Sequence, residues 1–362
     1  PNDGITNPID TTMALAKGAR SRGARIVENV KVTRILTEGG RAVGVAYETD
    51  GQTGEIRADA VVNAAGMWGR ELGDQVGATV PLHAAEHYYI VTEGIEGISP
   101  DMPVLRDPDG CGYFKEEAGK LMVGWFEPVA VPWGMSPRRG VSGIPEEFCF
   151  SSLPPDYDHL APLMDNATHR FPLLAETGVR LFFNGPESFT PDDRYLLGPS
   201  PEVPGLYMAC GFNSIGIQSS GGAGKVLADW IVDGHPPMDL WDVDVRRVMP
   251  FQRNAKYLHD RTVETLGLLY AMHWPFFQPA TARGVRRTPF HDRLAARGAC
   301  FGEVAGWERS NWFAPEGEEP VYRYTYGRQN WFEWSAAEHR AVREQVGMFD
   351  LSSFGKYLVQ GP

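Results

Sequence analysis

The stretch from Gly205 to Gly234 constrains the fold most, because a strand, a glycine-rich turn and a helix follow one another there. The letters GLYMACG predict the strand, and GFNSIGIQSSGGAGK supplies the glycines. VLADWIVDG completes an amphipathic helix that we expect to begin near Ser219 or Ser220. Glycine allows close approach of a ligand or of another backbone. The stretch therefore indicates either a ligand loop or tight packing of helix on sheet.

The same stretch lacks the spacing of the two common phosphate-binding loops. A P-loop has the pattern G-x-x-x-x-G-K-[ST], but the Gly224-Lys225 pair has serine at position 219 and valine at 226. The dinucleotide pattern G-x-G-x-x-G is absent from the whole chain. The helix start still offers unpaired N–H groups, which can stabilise an anion or a ring oxygen that becomes electron-rich on reduction.

A second strand–turn–helix lies at ADAVVNAAGMWGREL, residues 58–72. It predicts a buried strand over Ala60–Ala64, the small residues Ala64-Ala65-Gly66, and a helix that carries Trp68 and runs to about Val76. Small residues after the carboxyl end of a strand leave room for a cofactor in an α/β crevice. The arrangement is also common in α/β proteins where it serves packing alone.

The rest of the chain alternates helix and strand signals, and 362 residues exceed what one core usually organises. Two or more units are therefore expected, with a third beginning near Arg293. Further predictions are a helix over 10–24 capped by Asp10, a meander with turns at Gly39-Gly40 and Asp50-Gly51, strands at AEHYYIVTE, KLMVGWFE and VRLFFNG, a long surface connection over 127–157, a helix around 158–176, and a linker over 235–247.

Charge and composition exclude several classes of function. A formal net charge of −12 argues against a nucleic-acid surface. The sequence contains no apolar run of about 18 residues, so it predicts no membrane span. The widely spaced cysteines lack zinc-site spacing, so we predict buried thiols in a reducing compartment and no metal site; they are Cys111, Cys149, Cys210 and Cys300. The chain opens on Pro1 and stops in the strand-like GKYLVQGP, so we expect truncation at both ends.

Taken together, these motifs resemble the D-amino-acid-oxidase-like flavoproteins, and within them the dimethylglycine and sarcosine dehydrogenases. VVNAAGMW and GLYMACGFNSIGIQSSGGAGKVLADWIVDG are similar to two flavin-contact motifs of that family. RTPFHDRLAARGACFGEVAGWERSNWFAP with AAEHRAVREQVGMFDLSSFGK resembles its join to a folate-binding part. The resemblance implies an α/β and α+β fold: a Rossmann-type FAD-binding domain over 1–234 without its N-terminal βαβ unit, a small central domain over 235–291, and the start of an aminomethyltransferase-like domain over 292–362.

Position by position, the resemblance also implies site residues. Val32 matches a residue whose backbone meets the adenine end of FAD, while His87 and Tyr113 match an active-site histidine and tyrosine. The implied FAD contacts are Val32, Ala64, Ala65, Gly66, Trp68, Gly211, Phe212, Asn213, Ser214, Ile215, Gly216, Ile217 and Gln218. The alternative for His87 is a core histidine on a strand, and the alternative for Tyr113 is ordinary packing. Arg194 either binds a substrate carboxylate or forms a surface ion pair beside Asp192 and Asp193.

The function that the resemblance implies is FAD-dependent demethylation of sarcosine or dimethylglycine, with hydride transfer to the flavin. The full-length protein would pass the one-carbon unit to tetrahydrofolate and the electrons to an electron-transfer flavoprotein or oxygen. It would act in a bacterial cytoplasm or a mitochondrial matrix, while this piece would be inactive alone. The alternatives are an oxidase of another secondary amine and a non-catalytic relative similar to the regulatory subunit of pyruvate dehydrogenase phosphatase. Intact His87 and Tyr113 favour an enzyme.

Overall fold

The computed structural model describes residues 4–136 and 141–361. It divides into a unit that ends at Tyr270 and a second unit that begins at Ala271. Three domains remain a prediction.

The first unit contains five helices and fourteen strands within the described residues. The helices are α1 (Pro8–Ser21), α2 (Gly69–Asp74), α3 (Tyr157–Arg170), α4 (Gly216–Asp233) and α5 (Ala255–Gly267). The strands are β1 (Lys31–Glu38), β2 (Arg41–Thr49), β3 (Gln52–Arg57), β4 (Val61–Asn63), β5 (His83–Thr92), β6 (Leu105–Asp107), β7 (Gly112–Glu116), β8 (Leu121–Trp125), β9 (Pro132–Trp133), β10 (Met135–Ser136), β11 (Val141–Ser142), β12 (Val179–Phe189), β13 (Leu196–Pro199) and β14 (Leu206–Cys210).

The described part of this unit contains three larger sheets and the two-stranded sheet β10-β11. The meander β1-β2-β3 is antiparallel, and its predicted turns at Gly39-Gly40 and Asp50-Gly51 are confirmed, since all four residues have positive φ. A six-stranded antiparallel sheet runs β12-β5-β8-β7-β6, with β9 beside β5. In the third sheet, β4 is parallel to β14, which pairs with β13. The parallel pair brings the two predicted strand–turn–helix segments side by side.

Separate cores lie against the sheets. The apolar face of α3, which begins at the N-cap Asp156, packs on the six-stranded sheet through Leu160 and Leu163. A second core surrounds the β13-β14-β4 sheet, with Leu196, Leu206 and Met208 fully buried.

The second unit is built on a β-hairpin. Its elements are α6 (His291–Ala295), β15 (Ala299–Val304), β16 (Trp307–Phe313) and α7 (Phe332–Glu344). The hairpin core contains Cys300, Trp312 and Ala314. Residues 355–361 form no strand, so the strand expected at GKYLVQGP is wrong; Tyr357 and Val359 are about nine-tenths exposed there.

Several other sequence predictions need correction. Asn7, and not Asp10, caps α1, because its side chain accepts bonds from the N–H groups of residues 9 and 10. Val62 lies in β4, the strand predicted as buried, but is 43% exposed. The supposed surface connection buries Ala130 and Met135, and the supposed linker buries Val245, since each segment packs on a core of the first unit.

The cysteine prediction is half right. Cys210 and Cys300 are buried, Cys111 is half-buried and Cys149 is exposed, and all four are free thiols. Across residues 4–136 and 141–361, no group of three histidine, cysteine or acidic side chains could hold a metal ion. Nor does the described chain contain a helix long and apolar enough to cross a membrane.

Candidate active site

The structure brings His87 and Tyr113 together, although they are 26 residues apart. Nε2 of His87 lies 3.1 Å from the Tyr113 hydroxyl, and the two rings are almost parallel with centroids 6.2 Å apart. Both side chains are half-buried and line one cavity of about 550 Å³. This volume lies in the range of small-molecule sites.

Gly124 makes this contact possible. It pairs with Tyr89 of β5 on one side and with Tyr113 of β7 on the other. A Cβ atom at position 124 would lie 2.1 Å from the Tyr113 side chain, so only glycine lets the phenol cross β8 toward His87. Sequence reasoning missed this residue, although a glycine inside KLMVGWFE was a signal of close approach.

The pair is suited to moving one proton. Burial raises the pKa of Tyr113, so the phenol stays protonated near neutral pH and can donate to Nε2 of neutral His87. Once His87 has taken a proton, the direction of donation reverses and the phenol oxygen accepts. The ring of Phe126 lies 4.8 Å from that of His87 and limits solvent access on that side.

Other cavity residues come from three more segments. β6 and the loop after it contribute Arg106 and Pro108, the turn after α5 contributes Leu269 and Tyr270, and the loop before β13 contributes Asp193. Arg106 and Tyr270 were not predicted from the sequence, which gave no local signal for them. Arg106 is placed opposite Tyr113 by the pairing of β6 with β7, and Tyr270 lies in the turn after α5.

Asp193 is an unusual carboxyl group. Burial and, to a smaller extent, the neighbouring Asp192 raise its pKa from 3.8 to about 7, against the opposing charge of Arg194. Asp193 is therefore partly protonated near neutral pH. Of the two alternatives for Arg194, the structure shows a surface ion pair, but its partner is Asp242; Asp192 pairs with Arg247 at 2.7 Å.

The loop after β14 borders the cavity through Asn213, Ser214, Ile215 and Gln218. Asn213 is buried and has a positive φ; its side-chain oxygen accepts from the backbone N–H of Thr190 at 2.8 Å. Ser214 also has a positive φ, and its hydroxyl donates to Glu187. These contacts fix the loop against the sheet.

The predicted start of the following helix is wrong. α4 begins at Gly216, and the N–H of Ser219 already donates to the carbonyl of Ile215 at 3.0 Å. Gly221, Gly222 and Gly224 therefore lie inside the helix instead of in a turn. Among the residues that the structure describes, no side chain caps the helix start, so its first N–H groups remain available.

The remaining predicted flavin contacts do not line the cavity. Gly211 is explained by packing, because a Cβ there would lie 2.6 Å from Leu82 and 2.7 Å from Thr190. Phe212 stacks on Tyr195, and Ile217 is partly exposed. Val32 is 40% exposed on β1. Ala64, Ala65, Gly66 and Trp68 follow β4, and the Trp68 ring contacts Phe150.

The small residues nevertheless share one edge of the sheet and fit a flat cofactor. Met208 of β14 is opposite Asn63 of β4, so the loops after these parallel strands emerge at the same edge. Added Cβ atoms at Gly66 and Gly222 would find no atom within 4 Å. Ligands of α/β proteins bind outside the carboxyl ends of parallel strands, where this space is open. The arrangement fits FAD, the cofactor that the sequence predicts.

Comparison with known proteins agrees with this fit. The FAD dependent oxidoreductase model (DAO) matches residues 1–230, the FAD dependent oxidoreductase central domain matches 233–288, and the GCVT N-terminal domain matches 290–362. An L-proline dehydrogenase from P. horikoshii has a similar fold, with a TM-score of 0.57 over 68% of this chain and 61% of that one at 22% identity.

Curated relatives match along the whole chain. A 4-methylaminobutanoate oxidase (formaldehyde-forming) of Paenarthrobacter nicotinovorans is 47% identical over 362 residues, 100% of this chain and 43% of the relative. Human mitochondrial sarcosine dehydrogenase is 35% identical, covering 100% and 41%. The mouse regulatory subunit of pyruvate dehydrogenase phosphatase is 32% identical, covering 99% and 40%.

The chain spans about two fifths of the length of these relatives. The α/β and α+β fold class and the resemblance to the sarcosine and dimethylglycine dehydrogenases are both confirmed. The chain belongs to the FAD-dependent oxidoreductase (DAO) family.

Proposed function

We propose that this chain is part of an enzyme that oxidises the N-methyl group of an amino acid with FAD as electron acceptor. The observation that supports this most is the His87–Tyr113 hydrogen bond inside a cavity bordered by the Asn213–Gln218 loop. Relatives named for sarcosine and 4-methylaminobutanoate define the substrates to test first. Sarcosine or dimethylglycine is the substrate expected from the sequence.

FAD would lie along the small-residue edge formed by Ala64–Gly66 and the start of α4. When bound, the flavin accepts the two electrons of the oxidised C–H bond. The Asn213–Gln218 loop and the uncapped N–H groups of α4 would stabilise the ring oxygens of the reduced form.

His87 and Tyr113 would prepare the amine. The substrate must lose its ammonium proton, because only the neutral nitrogen has a lone pair to assist departure of hydride from the methyl carbon. The Tyr113 hydroxyl would take up this proton and pass its own proton to Nε2 of His87, to which it is hydrogen-bonded. The product is an iminium ion, to which water adds to release formaldehyde and the demethylated amine.

In the full-length protein, tetrahydrofolate would be a second acceptor for the one-carbon unit. This part of the proposal depends on the match of residues 290–362 to the GCVT N-terminal domain. The electrons would leave to an electron-transfer flavoprotein or to oxygen.

One experiment tests both the proposed function and the regulatory alternative. Full-length protein is purified, and its flavin spectrum is followed without oxygen after addition of sarcosine, dimethylglycine or 4-methylaminobutanoate. We expect bleaching by at least one of them and a rate at least about 100-fold lower for His87→Gln. Protein that carries no flavin, or flavin that none of these amines bleaches, would overturn the proposal and favour the regulatory alternative. N-Methylpropylamine, which has no carboxylate, is added as a fourth amine; bleaching by it alone would instead favour an oxidase of another secondary amine.

A further inference from the structure

Asp193 is the one acidic side chain among the described residues that line the cavity. It is half-buried, and within residues 4–136 and 141–361 its carboxyl group forms no hydrogen bond or ion pair. The basic neighbour Arg194 is paired with Asp242 instead. A half-buried carboxylate without a partner costs free energy, which a cation from outside the chain would offset.

The segment around Asp193 is held against the Asn213–Gln218 loop. The backbone N–H of Thr190 donates to the side chain of Asn213 at 2.8 Å, and the Thr190 hydroxyl accepts from the N–H of Arg194 at 3.1 Å. Asp193 lies between these two anchors and has a φ of +55°. This left-handed backbone is unfavourable for most side chains, and residues that are held in it cluster at functional sites. The fold therefore fixes this carboxyl group at the wall of the cavity.

The surroundings of Asp193 decide when it carries a charge. In its own loop, Asp192 raises the pKa of Asp193 and Arg194 lowers it. Other elements bring four titratable or charged side chains to the same cavity, namely His87, Arg106, Tyr113 and Tyr270. In the described chain, none of these four forms a hydrogen bond or ion pair with Asp193. Burial is the largest influence and holds the pKa of Asp193 at about 7, so the charged carboxylate predominates above that pH.

The amino group of the substrate is the cation that this cavity would receive. An N-methyl amine has an ordinary pKa of about 10, so near neutral pH it enters as an ammonium ion. Aromatic rings line the same cavity, and those of Phe126 and Tyr270 have their centroids 5.3 Å apart. Aromatic faces also attract methylated cations, so a test of Asp193 must separate its charge from theirs.

We propose that Asp193 binds the ammonium form of the substrate as it enters the cavity, before Tyr113 and His87 remove its proton. The attraction between a carboxylate and an ammonium ion is stronger in a half-buried cavity than in water. This inference rests on the proposed function and adds which residue makes the cavity prefer a cationic ligand to a neutral ligand of the same shape. Because Asp193 acts on binding, its removal should leave the limiting rate of flavin reduction almost unchanged.

The test uses full-length flavoprotein and two ligands that need no turnover, glycine betaine and 3,3-dimethylbutanoate. They share their shape and their carboxylate, but the quaternary centre is a charged nitrogen in betaine and a neutral carbon in the other. Calorimetric titration at pH 8.5 should show about 10-fold tighter binding of betaine to wild type, and Asp193→Asn should reduce this ratio at least about threefold. Asp165→Asn, an exposed position outside the cavity, is the matched control and should leave the ratio unchanged.

The same titrations at pH 6 test whether the charge of Asp193 is responsible. Asp193 is largely protonated there, so the ratio for wild type should fall to the ratio for Asp193→Asn. The variant is the reference at each pH, because a change in the charge of His87 affects both proteins alike.

Kinetics give a second readout with an N-methylated amino acid that bleaches the wild-type flavin. Asp193→Asn should raise KM about 3- to 30-fold at pH 8.5 and change the limiting rate of flavin reduction less than about threefold. A betaine preference that persists in Asp193→Asn would overturn the proposal and assign cation binding to the aromatic rings. A lower limiting rate with an unchanged KM would also overturn it. If no N-methyl amine bleaches the flavin but the betaine preference depends on Asp193, the proposed function fails and the cation site stands.

Discussion

The hydroxyl of Tyr113 is the atom whose role can be isolated most cleanly. Tyr113→Phe keeps the half-buried ring against Phe126 and removes only the hydrogen bond to His87. We expect flavin reduction in the full-length protein to slow about 10- to 100-fold, with the free energy of unfolding changed by about 1 kcal/mol or less. Stopped-flow reduction by sarcosine or 4-methylaminobutanoate measures the first quantity and urea unfolding the second.

A purely structural role for Tyr113 would give a different pH response. Raising the pH toward the ordinary amine pKa of about 10 supplies substrate that is already neutral, so it should restore much of the lost rate in Tyr113→Phe. Gly124→Ala should behave like Tyr113→Phe, because its Cβ displaces the phenol. A loss of rate that is the same at every pH would contradict the proton-transfer role.

Asp193 predicts a pH dependence of stability. Its pKa is about 7 in the folded state against 3.8 in the unfolded state, so the unfolded chain releases this proton first as the pH rises. Its contribution to stability is complete below pH 4 and is lost as the pH rises through about 7. At about 1.4 kcal/mol per unit the whole shift would be about 4 kcal/mol, and partial exposure of Asp193 reduces this to about 1–2 kcal/mol.

Asp193→Asn should therefore stabilise the protein at pH 8 by about 1–2 kcal/mol and have little effect at pH 4. Melting temperatures measured across this range test the sign. Asp165→Asn on the exposed face of α3 is the matched control, since Asp165 is outside the cavity. A gain at pH 4 that equals the gain at pH 8 would exclude titration of Asp193 as its cause.

At the scale of elements, α4 distinguishes glycine used for packing from glycine used for a ligand. Gly222 is exposed inside the helix with open space at its Cβ position. Gly222→Ala should therefore raise the free energy of unfolding of the flavin-free chain by about 0.5–1 kcal/mol, because alanine is the better helix former. Gly198→Ala should lower the free energy of unfolding, since φ is +106° there and the Trp230 ring would lie 2.6 Å from the new Cβ.

A larger side chain tests what the open helix face is for. Gly222→Leu should lower the flavin content of full-length protein at least severalfold, whereas Ala228→Leu, exposed on another face of α4, should leave it unchanged. Flavin content is read from the ratio of visible to ultraviolet absorbance. Full flavin content in Gly222→Leu would assign the glycine face to some other purpose.

The sequence predicts those elements whose signals are local. The turns Gly39-Gly40 and Asp50-Gly51 are encoded by the residues that adopt them. The start of α4 is not encoded locally, because Asn213 holds the preceding loop to Thr190, 23 residues away. This contact makes the helix begin before the serines that the sequence offers as caps. His87 and Tyr113 were identified through a family resemblance, but their contact requires the β5-β8-β7 pairing and Gly124. Arg106 and Tyr270 had no local signal at all.

At the scale of the whole molecule, each of the two units has its own hydrophobic core. The core of the unit that begins at Ala271 is small and centres on Trp312, which is 2% exposed. Nearby, Glu308 is also buried and accepts from Arg283 Nε at 2.9 Å and from the Gly284 N–H. The first unit holds the larger cores, including the one around Leu206. Separate cores favour separate unfolding transitions.

Two core substitutions test this independence. Trp312→Ala should cost about 3–5 kcal/mol and lower only the transition of the second unit, while Leu206→Ala should cost about 2–5 kcal/mol and lower only that of the first. Differential scanning calorimetry resolves the two transitions. If each substitution shifted one shared transition by a comparable amount, the units would unfold cooperatively. The cavity with His87, Arg106 and Tyr270 belongs wholly to the first unit, so Trp312→Ala should also leave the rate of flavin reduction in the full-length protein unchanged at temperatures below both transitions.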